Sequence, residues 1–308
     1  MSKQNRLAIV IPAYKSTFLP AALDSIAAQT CQDFTLYIGD DCSPNNIGEI
    51  VERYRDKINL VYKRFETNLG GKDLVAQWER CIDMTQGEEW LWLFSDDDVM
   101  EDRCVELFYD CLKKTKGNYD LYHFDVKIID DDNIICKEPR RYPQDIDNYS
   151  FYRGKLRSIY ASLVVENIFS REIYLQKAGF KKFDLAWGSD TATWVLFSER
   201  KGFHTIHGAF IHWRRSDQNI SPDLTSPIVE RKVNALLDFF LWGKEYFNGK
   251  GNSCWYTHLR AFINRMTEFH CYMSDNSFKS AVNRFCEIHG CNFMYLLLYL
   301  LIKNRERK

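Results

Sequence analysis

Three consecutive aspartates, Asp96, Asp97 and Asp98, follow an apolar run over residues 90–94 after a single serine. A short unbroken apolar run is typical of a strand buried on both faces. Three adjacent carboxylates repel one another, and burying them uncompensated is unfavourable. Because oxygen ligands suit hard divalent cations and ligands bind beyond the carboxyl ends of strands in open α/β sheets, the pattern predicts a Mg²⁺ or Mn²⁺ site at this strand end. The alternative is an N-cap and acidic first turn for a helix over residues 102–113, which explains one or two of the aspartates.

Strands alternate with helices through the first third of the chain. Strands are predicted over residues 7–11, 34–38, 59–62 and 90–94, and helices over 19–28, 47–54 and 73–84. Such alternation indicates right-handed βαβ units and therefore an α/β fold with a doubly wound, mostly parallel sheet.

A second acidic pair, Asp40 and Asp41, follows the second predicted strand. Two acidic clusters at one edge of a sheet face a common crevice, where a nucleotide binds in such folds. The chain has neither GxGxxG nor GxxxxGK[ST], so no glycine-rich loop is available to hold phosphates. A nucleoside diphosphate at this crevice would need a bridging metal.

Four segments carry a resemblance to a known family. They are LAIVIPAY (7–14), IGDDCSP (38–44), TNLGG (67–71) and LFSDDDV (93–99). The chain resembles the family-2 inverting glycosyltransferases of the GT-A fold, strongly over the first 100 residues and more weakly to about residue 221. The resemblance implies that Pro12, Ala13 and Tyr14 touch the nucleoside, with Lys15 where the family commonly has asparagine, and that Asp41 binds the base.

The resemblance also assigns the three aspartates. Asp96 and Asp98 match a D-x-D motif, which implies that Asp96 lies near the ribose and Asp98 holds the metal that bridges the diphosphate. Asp97, between them, assists either role. Val99 replaces a frequent further aspartate, so metal ligation depends more heavily on Asp98.

A later segment, residues 183–190, supplies a candidate catalytic base. A sugar hydroxyl that attacks an anomeric carbon needs a base to take its proton. The family has Glu-Asp ahead of a helix, and Asp190 matches that aspartate while Ser189 replaces the glutamate. The alternative is that Gly188 makes a turn and Ser189 or Asp190 caps a helix over residues 191–200.

Arginines near residue 214 are candidates for phosphate binding. Residues 213–221, WRRSDQNIS, resemble the family stretch that lines the diphosphate, with Ser216 where histidine is common. Arg214 or Arg215 then replaces the histidine, since a guanidinium suits phosphate oxygens. An exposed basic pair is the open alternative.

Other polar and aromatic features receive structural interpretations. The acidic run 130–132 is predicted to be a hairpin turn, and the irregular spacing of His204, His207 and His212 disfavours a shared metal site. Residues 119–129 predict a half-exposed strand, 137–150 a loop that covers the cleft, and 163–169 a strand. Trp187 and Trp194 either stack on a sugar or pack in the core.

The C-terminal third predicts helices with apolar stripes. We therefore expect a catalytic domain over residues 1–222, which binds nucleotide sugar and acceptor, and a helical region over 223–308. The apolar run 293–302 is too short to span a bilayer. Two interpretations stay open for it: packing on the main domain, or peripheral docking of the apolar face and basic tail on an anionic membrane.

Composition limits the partners. A net charge of −1 gives no reason to expect nucleic-acid binding. The ten cysteines include no CxxC pair, which disfavours a zinc site and is typical of reduced thiols. No apolar segment typical of a secretory signal is evident. We therefore expect a cytoplasmic protein, which lies at the inner face of the membrane if the C-terminal helix docks there.

The resemblance implies transfer of one sugar from a nucleotide-diphosphate sugar, most commonly a UDP-sugar, to an acceptor hydroxyl with inversion. A saccharide or lipid-linked saccharide is the expected acceptor, and cell-surface polysaccharide synthesis the expected setting. Two alternatives are a catalytically silent nucleotide-binding or scaffold protein on the same fold, and a sugar nucleotidyltransferase. The latter would need a glycine-rich basic N-terminal loop, which Pro12-Ala13-Tyr14 is not.

Overall fold

The computed structural model describes residues 6–216 and 223–303, in which ten strands form one sheet flanked by eleven α-helices. The strands are β1 (Leu7–Ala13), β2 (Phe34–Asp40), β3 (Leu60–Arg64), β4 (Trp90–Leu93), β5 (Val99–Met100), β6 (Leu121–Ile129), β7 (Ile135–Lys137), β8 (Asp145–Ile146), β9 (Asn167–Ser170) and β10 (Phe203–Arg214). The helices are α1 (Leu19–Ala27), α2 (Ile47–Glu52), α3 (Leu74–Ile82), α4 (Cys104–Thr115), α5 (Asn148–Leu156), α6 (Arg171–Gln176), α7 (Ser189–Phe197), α8 (Ser226–Asn248), α9 (Trp255–Phe269), α10 (Asp275–His289) and α11 (Tyr295–Lys303).

The strand order places a topological switch point beside β1. The main order is β3-β2-β1-β4-β9-β6-β10-β5, with β7 paired to β6 and β8 to β10. Neighbours among β3, β2, β1 and β4 are parallel, as are β6 and β10, whereas β5, β7, β8 and β9 pair antiparallel. The chain moves outward from β1 to β3 and then returns to the other side of β1 as β4, so the residues that follow β1 and β4 lie side by side. The predicted doubly wound, mostly parallel sheet and the helical C-terminal region are confirmed.

A hydrophobic core lies on each face of this sheet. Along β1, Leu7, Ile9 and Ile11 belong to one core and Ala8 and Val10 to the other, as the alternation of a strand requires. The C-terminal helices share the second core, to which they contribute Val229, Phe240, Phe262, Phe285 and Leu298. The predicted boundary at residue 222 falls outside the described residues, and the division into two domains stays a prediction.

Strand β6 is more buried than its sequence pattern suggested. Residues 119–129 predicted a half-exposed strand, but His123 and Asp125 are 1% and 5% exposed. The prediction was wrong because β9 and β10 flank β6 and both faces of the sheet are covered.

Two other local predictions also need correction. Residues 137–150 do not cover a cleft; they include β8 and the start of α5, and Thr205 in β10 donates its backbone N–H to the carbonyl of Gln144 at 2.8 Å. The strand predicted at 163–169 begins at Asn167. By contrast, the hairpin turn at 130–132 is confirmed, since β6 and β7 pair antiparallel and the N–H of Asp130 donates to Ile134.

Candidate active site

A cavity of about 1210 Å³ opens at the carboxyl ends of β1 and β4. Eight of the nine predicted site residues line it: Pro12, Ala13, Tyr14, Asp41, Asp96, Asp97, Asp98 and Asp190. The ninth, Arg214, is buried beside it. Topology therefore brings together residues that are up to 178 positions apart, taking Pro12 and Asp190 as the ends.

Asp96 connects the ends of the two switch-point strands. One of its carboxylate oxygens accepts the backbone N–H groups of Tyr14 and Lys15, both at 2.7 Å. Burial raises the pKa of Asp96 to about 6, against the opposing effect of Lys15 and these N–H donors. This carboxylate therefore fixes the backbone of the 12–15 turn, and its own charge is incompletely compensated.

Lys15 is the site residue that sequence reasoning undervalued. Its ammonium forms an ion pair with Asp97 and lies 3.7 Å from a carboxylate oxygen of Asp96. Burial opposes its charge, but Asp96 and Asp97 outweigh that effect and raise the pKa of Lys15. The available signal was its place directly after β1, because the residues that follow parallel neighbours such as β1 and β4 come together.

Asp98 is the aspartate best suited to hold a metal. It is 1% exposed, its carboxylate accepts the backbone N–H of Arg214 at 2.7 Å and the hydroxyl of Ser95 at 2.6 Å, and it has no ion-pair partner among residues 6–216 and 223–303. Burial, followed by the charge of Asp97, raises the pKa of Asp98 well above its usual range. A buried carboxylate that keeps unused lone pairs, and whose negative charge has little positive charge beside it, is a suitable ligand for a divalent cation.

The described residues contain no preformed cluster of three or more His, Cys, Asp or Glu side chains around a metal position. Mg²⁺-like ions are commonly held by one or two carboxylates together with substrate phosphates and water. The capping alternative for the three aspartates is excluded, because β5 separates them from α4 and the N-cap of α4 is Arg103.

Asp41 holds a loop in the wall of the cavity. One oxygen accepts the N–H of Leu69 at 2.7 Å and a guanidinium N–H of Arg80 at 2.6 Å, and the other accepts the N–H of Gly70 at 2.8 Å and the amide of Asn68 at 3.1 Å. These four donors fill the roughly four acceptor positions of a carboxylate. A Cβ at Gly70 would lie 2.7 Å from this carboxylate, so only glycine permits the approach.

Direct binding of a base by Asp41 therefore stays a prediction, and the contacts support an indirect role through the 68–71 turn. This turn brings Asn68, Gly70 and Gly71 to the cavity.

Arg214 has a different role from the predicted one. Its side chain is fully buried, and its guanidinium donates to the carbonyl oxygens of Asp97 at 2.9 Å and Asp130 at 2.6 Å and to the side chain of Asn133 at 2.5 Å. The prediction that Arg214 binds phosphate is not supported, because these donors tie the aspartate loop to the β6–β7 hairpin. Arg215, the alternative, is exposed, and residues 217–221 of the same motif lie outside the described residues.

Asp190 lies in the first turn of α7 and lines the cavity. The capping alternative is wrong: the N-cap of α7 is Gly188, whose φ of 90° favours glycine, and the hydroxyl of Ser189 accepts the N–H of Phe183. One oxygen of Asp190 accepts the N–H of Thr191 at 2.6 Å, and burial raises the pKa of the carboxyl. A carboxylate held on a helix start with a raised pKa is a suitable general base.

The two tryptophans divide between the two alternatives. Trp194 is fully buried and packs in the core, whereas Trp187 is half-buried and lines the cavity beside Asp190.

Glu166 is a buried carboxyl that the sequence did not single out. It is 1% exposed; one oxygen accepts the N–H of Leu163 at 2.6 Å, and the other has no partner among the described residues. Burial, with a contribution from the charge of Asp190, raises the pKa of Glu166 to about 8. At neutral pH it therefore holds a proton near the candidate base. The sequence signal was weak, since a lone glutamate between a loop and a strand is usually exposed.

The raised pKa of Glu166 makes stability depend on pH. Because the folded pKa lies above the unfolded one, this group stabilises the fold fully below pH ~4.3 and loses that contribution as the pH rises through about 8. The unfolding temperature of the wild type should fall between pH 5 and pH 8 because this contribution is lost. In Glu166→Gln that fall should be smaller by at least about 2–4 °C, the shift that ~1 kcal/mol produces in a chain of this size. Differential scanning fluorimetry at both pH values measures it. Glu172→Gln, an exposed glutamate on α6, should keep the wild-type fall, and an unchanged fall in Glu166→Gln would contradict the prediction.

The three histidines of β10 have separate partners. His204 pairs with Asp145 at 2.7 Å, His207 lies 3.7 Å from Asp125, and His212 contacts Glu101 at 3.1 Å. The prediction that they do not share a metal site is consistent with this separation.

The far end of the cavity is formed by the C-terminal helices. Leu236 and Phe239 of α8 line it, as do Asn264, Arg265 and Glu268 of α9. Arg265 forms an ion pair with Glu268 at 2.6 Å and lies 5.7 Å from the centre of the Trp187 ring. The cavity therefore has an aspartate-rich end on the sheet and an end with aromatic and mixed polar groups on the helices.

Comparisons with known proteins agree with this geometry. The family model described as glycosyl transferase family 2 matches residues 8–171. The chain is similar to the poly(ribitol-phosphate) β-N-acetylglucosaminyltransferase TarS of Staphylococcus aureus, with 31% identity over 127 residues, which cover 40% of this chain and 20% of that protein. It is also similar to the glycosyltransferase GlyG of Streptococcus pneumoniae, with 24% identity over 181 residues, 58% of this chain and 52% of that protein. The chain thus spans between a fifth and about half of the length of these curated relatives.

Solved structures show the same fold at low identity. The crystal structure of S. aureus TarS 1–349 with UDP-GlcNAc superposes with a TM-score of 0.62 and 14% identity, covering 98% of this chain and 92% of that one. A Pyrobaculum calidifontis mannosyltransferase in complex with GDP-Man and Mn²⁺ gives a TM-score of 0.52 and 12% identity, covering 99% and 87%. The fold is thus the GT-A-type fold of TarS, and since the family model matches more than half of its residues, the chain belongs to glycosyl transferase family 2.

Proposed function

We propose that this protein transfers one sugar from a nucleoside-diphosphate sugar to an acceptor hydroxyl with inversion at the anomeric carbon. The observation that carries the proposal is the convergence of Asp96, Asp97, Asp98 and Asp190 on one cavity at the switch point of the sheet. A single site then offers a position for the sugar donor, groups that compensate the charge of its diphosphate, and a base for the acceptor hydroxyl.

The aspartate-rich end is the donor site in this proposal. The nucleoside lies against Pro12, Ala13 and Tyr14 and the 68–71 turn, which Asp41 holds in place. The ammonium of Lys15 lies at the same strand ends as the aspartates, where it can attract the diphosphate. Arg215 remains the alternative arginine for a phosphate contact.

Asp98, with Asp96 or Asp97, would hold a divalent cation, Mn²⁺ or Mg²⁺. When bound there, such an ion supplies positive charge for the diphosphate leaving group. The chain itself positions this group of oxygens: Ser95 and the backbone N–H of Arg214 orient the carboxylate of Asp98, and the buried guanidinium of Arg214 anchors the loop.

Asp190 is the proposed general base. The acceptor oxygen forms a bond to the anomeric carbon while the bond from that carbon to the diphosphate oxygen breaks. The hydroxyl proton passes to the carboxylate of Asp190, and the diphosphate leaves with the bonding electrons. Attack opposite the leaving group inverts the anomeric centre. Thr191 orients the base through its N–H, and burial keeps its pKa above that of an ordinary aspartate.

The helical end of the cavity is the proposed acceptor site. At about 1210 Å³ the cavity exceeds the roughly 300–1,000 Å³ of a typical single-ligand pocket, so it has room for two substrates. Trp187 offers an aromatic face to a sugar ring, and Asn264 and Glu268 offer hydrogen-bonding groups to its hydroxyls. In this proposal the acceptor is a saccharide, free or lipid-linked, and the catalytic domain over 1–222 works together with the helical region over 223–308.

The relatives indicate a donor and a setting. The neighbouring TarS structure contains UDP-GlcNAc, so a UDP-sugar is the first donor to test, and GDP-mannose, present in the mannosyltransferase neighbour, is the second. TarS is named for a poly(ribitol-phosphate) substrate, which supports a role in cell-surface polymer synthesis.

Nucleotide binding tests the proposal. We expect UDP with Mn²⁺ at a hundredfold excess over its Kd to raise the unfolding temperature by about 5–10 °C, since such an excess stabilises by ~2.7 kcal/mol. Differential scanning fluorimetry with UDP, GDP and their sugars, each with Mn²⁺ or with EDTA, measures the shift, and release of UDP from UDP-GlcNAc measures turnover.

The rival functions give different outcomes. A catalytically silent nucleotide-binding protein would show the thermal shift without releasing UDP. A sugar nucleotidyltransferase would release pyrophosphate from a nucleoside triphosphate and a sugar phosphate. Absence of any shift with the whole nucleotide panel would contradict the proposed function.

A further inference from the structure

The last helix, α11, leaves an apolar face uncovered. Leu296, Leu297, Leu300 and Leu301 are 64%, 60%, 47% and 38% exposed, and their spacing places them on one side of the helix. The opposite side packs on the protein through Leu298 and Ile302, which are buried. The packing interpretation therefore holds for one face of the helix, and membrane docking of the other face stays a prediction.

This concentration of exposed leucine is unusual within the described residues. Single exposed apolar side chains, such as Leu175 on α6, are normal on protein surfaces. Four on one helix of nine residues form a contiguous apolar surface, which marks an interaction site.

Charge identifies the partner. Residues 303–308 contain four basic residues and one acidic residue. Lys303 pairs with Asp275 at 2.8 Å, and residues 304–308 lie outside the described part of the chain. An apolar helix face adjoining a basic segment is the pattern of helices that lie in the interface of an anionic membrane. Helix α11 has nine residues, ~13 Å of helix, so it lies on such a surface and does not cross it.

The two other occupants fit less well. Four partly exposed leucines offer a few hundred Å², less than the ~800 Å² per partner of a stable protein interface. None of the described helices, including α11, is long and apolar enough to cross a membrane.

We propose that the face formed by Leu296, Leu297, Leu300 and Leu301 docks this protein on an anionic lipid surface. The proposal goes beyond sugar transfer and does not depend on it. If both hold, docking brings the cavity to a membrane, where a lipid-linked acceptor is located.

Vesicle flotation of the full chain tests the docking. We expect the wild type to float with phosphatidylglycerol-containing vesicles and not with pure phosphatidylcholine vesicles, and flotation to weaken as salt rises. The double variant Leu297→Gln/Leu300→Gln should bind at least about tenfold more weakly, because two leucines no longer enter the acyl region.

The matched control is Leu175→Gln, which removes a leucine of similar exposure (65%) from another helix and should bind like the wild type. Circular dichroism and unfolding temperature should be unchanged in both variants, since these side chains are exposed. Three outcomes would overturn the proposal: no flotation of the wild type, equal flotation of the double variant, or a concentration-dependent dimer that is lost in the double variant and unaffected by lipid.

Discussion

Asp98→Asn is expected to lower the rate of sugar transfer by about 10²–10³-fold, the scale on which removal of a single charge-stabilising group acts. Asparagine keeps the size of the side chain and an oxygen that accepts the N–H of Arg214, so the loop should stay in place. The variant loses the negative charge that a divalent cation needs. Release of UDP from UDP-GlcNAc at saturating Mn²⁺ measures the effect.

The same variant should not destabilise the metal-free protein. Burial raises the pKa of Asp98, so its ionised form is unfavourable in the fold, and removing the charge relieves that cost. We expect the unfolding temperature in EDTA to equal or exceed that of the wild type, while the stabilisation by Mn²⁺ and UDP is lost.

Asp131→Asn is the matched control for this prediction. Asp131 belongs to the third acidic run and is exposed in the β6–β7 hairpin turn, so its replacement should leave activity unchanged. Turnover of Asp98→Asn close to the wild-type value would contradict the assignment of Asp98, as would an equal loss in Asp131→Asn.

Asp190→Asn is expected to lower transfer by roughly 10²–10⁴-fold, the usual contribution of a positioned general base. Donor affinity should stay within about twofold of the wild type, because Asp190 is proposed to take the proton of the acceptor hydroxyl and not to bind the nucleotide. Equilibrium binding of UDP and steady-state transfer rates separate the two quantities.

The pH profile gives a second readout for Asp190. A base acts when ionised, so activity falls as the pH drops through its pKa. Since burial raises the pKa of Asp190, this fall should occur above the ~3.9 of an ordinary aspartate, and the residual rate of Asp190→Asn should lack it.

Asp184→Asn serves as the control, because Asp184 lies in the same segment but is exposed and pairs with Arg231 on the surface. A wild-type pH profile in Asp190→Asn, or reduced activity in Asp184→Asn, would count against Asp190 as the base.

The structure changes the meaning of some matched motifs. Asp41 matches the family turn, yet its oxygens are filled by Leu69, Gly70, Asn68 and Arg80. Its proposed contribution is therefore to shape the nucleoside wall. A motif identifies a position, whereas the number of free acceptor sites at that position depends on the neighbouring loops.

The sequence by itself determined the α/β class, the cluster of aspartates at a strand end and the candidate base. The class and the cluster of Asp96, Asp97 and Asp98 follow from apolar runs and alternating elements, and the candidate base Asp190 follows from the resemblance to the family motif. Local patterns suffice because the carboxyl ends of parallel strands must meet at one edge of the sheet.

Only the tertiary structure decided how the charges are compensated. It paired Lys15 with Asp97, buried Arg214 under the aspartate loop and covered both faces of β6. It buried Glu166 with one carboxyl oxygen that has no partner among the described residues. It also divided α11 into a packed face and an exposed one. Burial and pairing depend on residues distant in the sequence, and the pKa and the role of an ionisable group depend on both, so local patterns alone do not predict them.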